Sequence, residues 1–123
     1  MGAAVELVAS DGHRLAAYRA SPPGPARGAV VVLQEIFGVN DHIRAVTDGF
    51  ADDGYVAIAP ALFDRLRRGV ELGYSAEAIA VGVDLRRRTD LDGAMRDIAA
   101  AAVSAEMAAG VVGYCLGVFM CLL

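Results

Sequence analysis

The chain has 123 residues, enough for one small domain with its own core. Hydrophobic residues make up 56% and charged residues 21%, which excludes an intrinsically disordered chain. The net charge of −4 leaves no electrostatic case for nucleic acid or an anionic membrane surface, and we read the exclusive use of arginine for its eleven basic residues as coding bias.

No apolar stretch reaches the roughly 18–20 residues of a membrane span. Met1-Gly2-Ala3-Ala4-Val5-Glu6 lacks a basic n-region and an apolar h-region, so no secretory leader is expected. The spacing of Cys115 and Cys121 fits neither a redox pair nor a zinc knuckle. Free thiols in a reducing cytoplasm, with no metal, are therefore expected.

Residues 4–9 and 13–20 alternate as strands do, and Ser10-Asp11-Gly12 between them is a hairpin signal. Ser21-Pro22-Pro23-Gly24-Pro25 must be a loop. Ala29-Val30-Val31-Val32-Leu33 is a continuous apolar run, the mark of a strand buried on both faces of a parallel sheet. A helix is predicted from Asp41 to Asp53, with Ile43, Val46 and Phe50 facing inward. Gly54 stops it, and Tyr55–Ala59 forms the next strand, closed by Pro60.

Residues 61–74 read as a polar connection. The next helix, Ala76–Arg88, presents Ala76, Ile79, Ala80 and Val83 on one face, and Arg86, Arg87 and Arg88 suit the dipole of its last turn. Thr89-Asp90-Leu91-Asp92 opens a further helix with Leu91, Met95, Ile98 and Ala102 buried and Gly110 ending it. Val111–Tyr114 is the last strand. The order, a hairpin followed by β-α-β-α-α-β, predicts an α/β fold with a mostly parallel sheet and an antiparallel edge.

Gly113-Tyr114-Cys115-Leu116-Gly117 follows that last strand. It has the form of the G-x-S-x-G nucleophile elbow with cysteine in place of serine, where a strand turns sharply into a helix and exposes its central side chain. Taken alone, Cys115 is either a small buried hydrophobe or a nucleophile. The flanking glycines, the preceding apolar strand and the following helix start favour the nucleophile, and a helix N-terminus lowers a thiol's pKa. The amide of Leu116 would then point to where an oxyanion forms.

Gln34-Glu35-Ile36-Phe37-Gly38 follows the first parallel strand, and in this architecture that loop donates the second oxyanion amide, here from Ile36. Glu35 is either a solvated loop acid or a carboxylate facing the thiol. His13, in the hairpin, reads as an exposed strand residue. His42, in the first turn of a helix, reads as capping or packing. A nucleotide-binding Rossmann reading fails because no G-x-G-x-x-G follows the strand at 29–33.

Together, the blocks at Gln34–Arg44, Ala57–Phe63 and Gly113–Gly117 resemble the dienelactone hydrolase (carboxymethylenebutenolidase) family in order and spacing, and the resemblance covers essentially the whole chain. It implies an α/β-hydrolase with a Cys-Asp-His triad that opens lactones to carboxylates in the breakdown of aromatic compounds, without a cofactor. By that resemblance Cys115 is the nucleophile, Glu35 governs thiol ionisation, and the amides of Ile36 and Leu116 form the oxyanion hole. Arg65 falls near a family arginine that binds the substrate carboxylate, with Arg67 and Arg68 as rivals and a solvated charge cluster as the alternative.

The family's triad aspartate and histidine both follow the nucleophile, whereas only Val118–Leu123 follows Gly117 here. Residues 1–123 are therefore expected to be the N-terminal part of one α/β-hydrolase domain. Two readings follow: half of an active enzyme, or a non-catalytic fragment. An unpartnered strand at 111–114 would further favour oligomers or aggregates.

Overall fold

The computed structural model describes residues 2–113. Its elements are β1 (Ala3–Val8), β2 (Arg14–Ala20), β3 (Ala29–Leu33), α1 (Asp41–Asp52), β4 (Val56–Pro60), α2 (Ala76–Arg88), α3 (Leu91–Ser104) and β5 (Ala109–Gly113). The strands form one sheet in the order β1-β2-β4-β3-β5. β1, β2 and β4 pair antiparallel, while β4, β3 and β5 pair parallel. The predicted hairpin and antiparallel edge are present, and the sheet is mixed, with two antiparallel and two parallel pairings among the described strands.

All five residues of β3 and all five of β4 are buried. Alternation along β3 explains why. Val31 and Leu33 pack with Ala94, Ile98 and Ala101 of α3 on one face. Val30 and Val32 pack with Ile43, Val46 and Phe50 of α1 on the other. The crossover from β3 to β4 moves to one side of β3, and the crossover from β4 to β5 returns past it. Two crossovers of the same hand running in opposite directions must lie on opposite faces. The loops leaving β3 and β4 therefore diverge, which opens a crevice at the carboxyl ends of the parallel strands.

Each helix begins on a side-chain cap. Asn40 Oδ1 accepts from Ile43 N–H (3.2 Å), Ser75 Oγ from Ala78 N–H (3.1 Å) and Asp90 Oδ2 from Gly93 N–H (3.1 Å). A cap of this kind contributes about 1 kcal/mol.

Several expectations need correction. In α2 it is Gly82 and Leu85 that are buried, while Ala76, Ile79 and Ala80 are exposed. The helix docks by bringing Gly82 against the Ile36 carbonyl, so its smallest residue chooses the face. In α3 the buried line runs through Ala94, Asp97, Ile98 and Ala101, and Leu91 is exposed. The connection at 61–74 is not a polar surface strip, since Leu62, Phe63, Asp64 and Val70 are buried. α3 ends at Ser104 rather than at Gly110, with Glu106 in the left-handed region just beyond. Gly110 instead lies within β5, opposite Val30.

Candidate active site

The chain leaves β3 through Gln34, whose side chain is 1% exposed. A buried amide must find partners, and this one has two. Leu62 N–H donates to its Oε1 (2.8 Å), and its Nε2 donates to the carbonyl of Glu35 (3.1 Å). Gln34 thus ties the end of β3 to the segment leaving β4, at the point where the two loops part.

Residues 35–38 form a tight turn in which Gly38 N–H also donates to the Glu35 carbonyl (3.3 Å). Gly38 sits at φ +79°, and a Cβ there would overlap the Val70 carbonyl. The 70–74 segment seals this turn. Leu72 N–H donates to the Phe37 carbonyl (2.8 Å), and the Tyr74 ring meets the Phe37 ring edge-on at 4.5 Å. Asn40 Nδ2 reaches the Leu72 carbonyl (3.4 Å) and Tyr74 Oη (3.3 Å). From the other side α2 closes on the Ile36 carbonyl through Gly82.

Among the described residues the Ile36 N–H donates to no acceptor, and no hydrogen bond or ion pair reaches the half-buried Glu35 carboxylate. β5 runs beside β3 in parallel register with Leu33 opposite Gly113. The carboxyl ends of the two strands are therefore adjacent. Cys115 and Leu116, the expected nucleophile and second oxyanion amide, lie outside the described residues.

Arg65 is already engaged. Its Nε and Nη2 donate to the fully buried Asp97 (2.9 and 2.8 Å), and its Nη1 and Nη2 donate to Asp11 (2.7 and 3.1 Å). Four of a guanidinium's five N–H groups make these bonds, so a substrate carboxylate would have to displace Asp11. The bonds from Asp11 and then Asp97 hold Arg65 above its ordinary pKa, and the Arg65 bonds hold the Asp11 carboxyl well below the usual carboxylate range. Arg67 is exposed, and Arg68 donates to the Arg14 carbonyl (2.7 Å).

His42 is exposed in the first turn of α1. His13 precedes β2, and its buried Nε2 has no hydrogen-bond partner among the described residues. A cavity of about 200 Å³ lies between β2, the start of α1 and residues 69–71, and among the described residues Glu35, Ile36 and Arg65 do not line it. No cluster of metal-ligating side chains occurs among the described residues, and none of their helices is long and apolar enough to cross a membrane. Sequence reasoning passed over Gln34 and Asp97. The one available signal was a polar residue at the end of a strand otherwise buried on both sides.

A mixed sheet of this topology, with helices on both faces and a tight turn after β3, has the architecture of the α/β-hydrolase class. The dienelactone hydrolase family profile matches residues 15–123, and the chain belongs to that family. A relative from Synechocystis sp., bearing the provisional name carboxymethylenebutenolidase, is 39% identical over 112 residues, covering 85% of this chain and 46% of the relative. The carboxymethylenebutenolidase of Pseudomonas putida is 32% identical over 120 residues, covering 92% of this chain and 51% of that protein. A crystal structure from Klebsiella pneumoniae, provisionally described as a dienelactone hydrolase, superposes with a TM-score of 0.72 at 28% identity. It covers 94% of this chain and 50% of that one. The chain thus spans about half the length of the relatives it matches.

Proposed function

We propose that this chain supplies the nucleophile and the oxyanion-binding amides of a hydrolase that opens lactones or related esters through the Cys115 thiol. The observation that supports it most is the register of β3 on β5. Glu35 is two residues past Leu33, and Cys115 is two residues past Gly113. With those strand ends paired, covalent geometry alone keeps the Cys115 Cα within about 7.6 Å of the Gly113 Cα.

In this reading the Cys115 thiolate attacks the acyl carbon, and the carbonyl oxygen gathers negative charge toward the amides of Ile36 and Leu116. The ring C–O bond breaks, the ring oxygen leaves and takes a proton, and a thioester remains on Cys115. Water then attacks the thioester, releasing the carboxylate and restoring the thiol. Glu35 acts on the first step. A carboxylate beside a thiol disfavours a second negative charge, so the thiol rests protonated and Glu35 can take its proton when substrate arrives. Arg65 takes a substrate carboxylate only by releasing Asp11.

Deacylation needs an oriented base, and the only histidines in these 123 residues are His13 and His42. Acylation without rapid turnover is therefore the expected behaviour of the chain by itself. The family name supports a lactone substrate, the resemblance extends the proposal to aromatic catabolism, and the need for a free thiol fits a reducing, cytoplasmic setting. The test is a p-nitrophenyl ester. One equivalent of nitrophenol should be released rapidly, and peptide mass mapping should find the acyl group on Cys115 and not on Cys121. No acylation, or acylation of both thiols alike, would reject the nucleophile and favour a non-catalytic fragment.

A further inference from the structure

We infer that Gln34 is a positioning residue that aims the Ile36 amide at the reacting oxygen; this rests on the nucleophile reading above and assigns a residue that reading leaves idle. The argument runs through one peptide plane. The Glu35 carbonyl and the Ile36 N–H belong to the same planar trans unit and point in opposite directions. Whatever fixes the carbonyl therefore fixes the amide.

The carbonyl is held twice, by Gln34 Nε2 at 3.1 Å and by Gly38 N–H at 3.3 Å. Of these, the Gln34 bond is the shorter, and it comes from a side chain that cannot drift. Gln34 is 1% exposed, and its Oε1 is anchored by Leu62 N–H at 2.8 Å. The anchor is itself rigid, because Leu62 is 2% exposed and directly follows Ala61, whose N–H donates to the Ala16 carbonyl at 2.9 Å. The result is a continuous strut from β2 through the end of β4 to the peptide whose N–H has no acceptor among the described residues. An oxyanion donor is effective only if it is oriented before charge develops, since a donor that must reorient loses much of its advantage.

Removing the Nε2 donor leaves the carbonyl on the longer Gly38 bond, and the plane can rock. Removing Gln34 altogether also leaves the buried Leu62 N–H without its acceptor. Asparagine has the right chemistry but is one methylene too short to span both partners.

The test compares two reactions of the same thiol on the full chain. Acylation by p-nitrophenyl acetate passes through a tetrahedral oxyanion. Alkylation by iodoacetamide, a displacement at a saturated carbon, does not. In Gln34→Met, acylation of Cys115 should fall by about tenfold to a hundredfold while alkylation changes by less than about twofold. Gln34→Asn, the milder change, should shift the ratio the same way and serves if the methionine variant fails to fold. Equal losses in both reactions would show a merely structural role and overturn the inference. Unchanged acylation in the folded variants would overturn it as well. If the wild-type thiol is not acylated, the nucleophile reading fails first. If it is acylated and the Gln34 variants match it, this inference alone fails.

Discussion

Arg65 grips Asp97 with two hydrogen bonds, 2.9 and 2.8 Å long, although Asp97 is fully buried inside α3. Burying an ion pair costs desolvation, so its presence is weak evidence of net stabilisation. Breaking it from one side is a different matter. Arg65→Met should destabilise the chain by about 3–5 kcal/mol, because it strands a carboxylate in the core. Arg65→Met combined with Asp97→Leu should recover most of that loss. Denaturant melts of the single and double variants decide it, and a double variant no more stable than the single one would contradict the account.

The outer half of the same cluster sets a pH dependence. Arg65 holds Asp11 below its ordinary pKa, so the folded chain binds that proton less readily than the unfolded one. Stability from this group is fully present above the unfolded value near pH 4 and drains away as pH falls toward the lower folded value. Asp11→Asn should therefore be less stable than wild type at pH 7. The gap should stay constant down to about pH 5 and narrow below about pH 4. Thermal melts across pH 2–7 check this, and a gap that widens on acidification would reverse the sign.

The sheet was legible because its signal is local. Five consecutive apolar residues at 29–33 and the Asp11-Gly12 turn need no distant information, and both are where the pattern put them. The start of α3 was readable for the same reason, although its cap is Asp90 and not Thr89, where the motif begins. What was not legible depends on long-range contact. α2 carries its apolar residues at helical spacing, yet it buries Gly82 because that residue alone lets the helix reach the Ile36 carbonyl. Arg65 read as one of three clustered arginines. Only folding brings it to Asp97, 32 residues away, and Asp11, 54 residues away. Gln34 sits within the motif that carries the resemblance, but its role is invisible until Leu62 is seen to donate to it.

Gly38 and Gly69 both occupy the left-handed region, at φ +79° and +71°. Alanine at either position carries the same backbone penalty, about 1–3 kcal/mol. Only at Gly38 does the added methyl collide with backbone, the Val70 carbonyl; at Gly69 it meets open space. Gly38→Ala should thus be clearly the more destabilising of the two. It should also slow acylation of Cys115, because the turn holding Ile36 must move. Paired melts and acylation rates are the measurement, and equal behaviour of the two variants would mean that the turn yields freely.

Glu35 offers a direct electrostatic test of the proposed site. Its carboxylate has no partner among the described residues, so its charge is free to act on whatever lies near it. Replacing it with glutamine removes a negative charge while keeping the shape. A nearby thiol should then ionise more easily, lowering the apparent pKa of Cys115 while impairing acyl transfer from an ester. Iodoacetamide rates measured against pH report the ionisation, and nitrophenol release reports the transfer. A raised or unmoved thiol pKa would place Glu35 away from Cys115.

β5 bears on the state of the chain in solution. Among the described residues it is hydrogen-bonded on one side only, to β3, and Val111 within it is 42% exposed. A strand with one open ladder and an apolar surface is a template for pairing with another chain. Five registered residue pairs, from Ala29–Ala109 to Leu33–Gly113, hold the paired side, so the side unpaired among the described residues offers a preformed ladder. Self-association that rises with concentration is the expected behaviour. Val111→Lys should weaken it without touching the β3 ladder, because backbone pairing with β3 is indifferent to that side chain while a charge opposes a neighbouring apolar edge. Light scattering over a concentration series distinguishes the cases. Association that is equally strong in Val111→Lys would move the contact elsewhere, and a monomer at every concentration would mean that the open side of β5 is covered in solution.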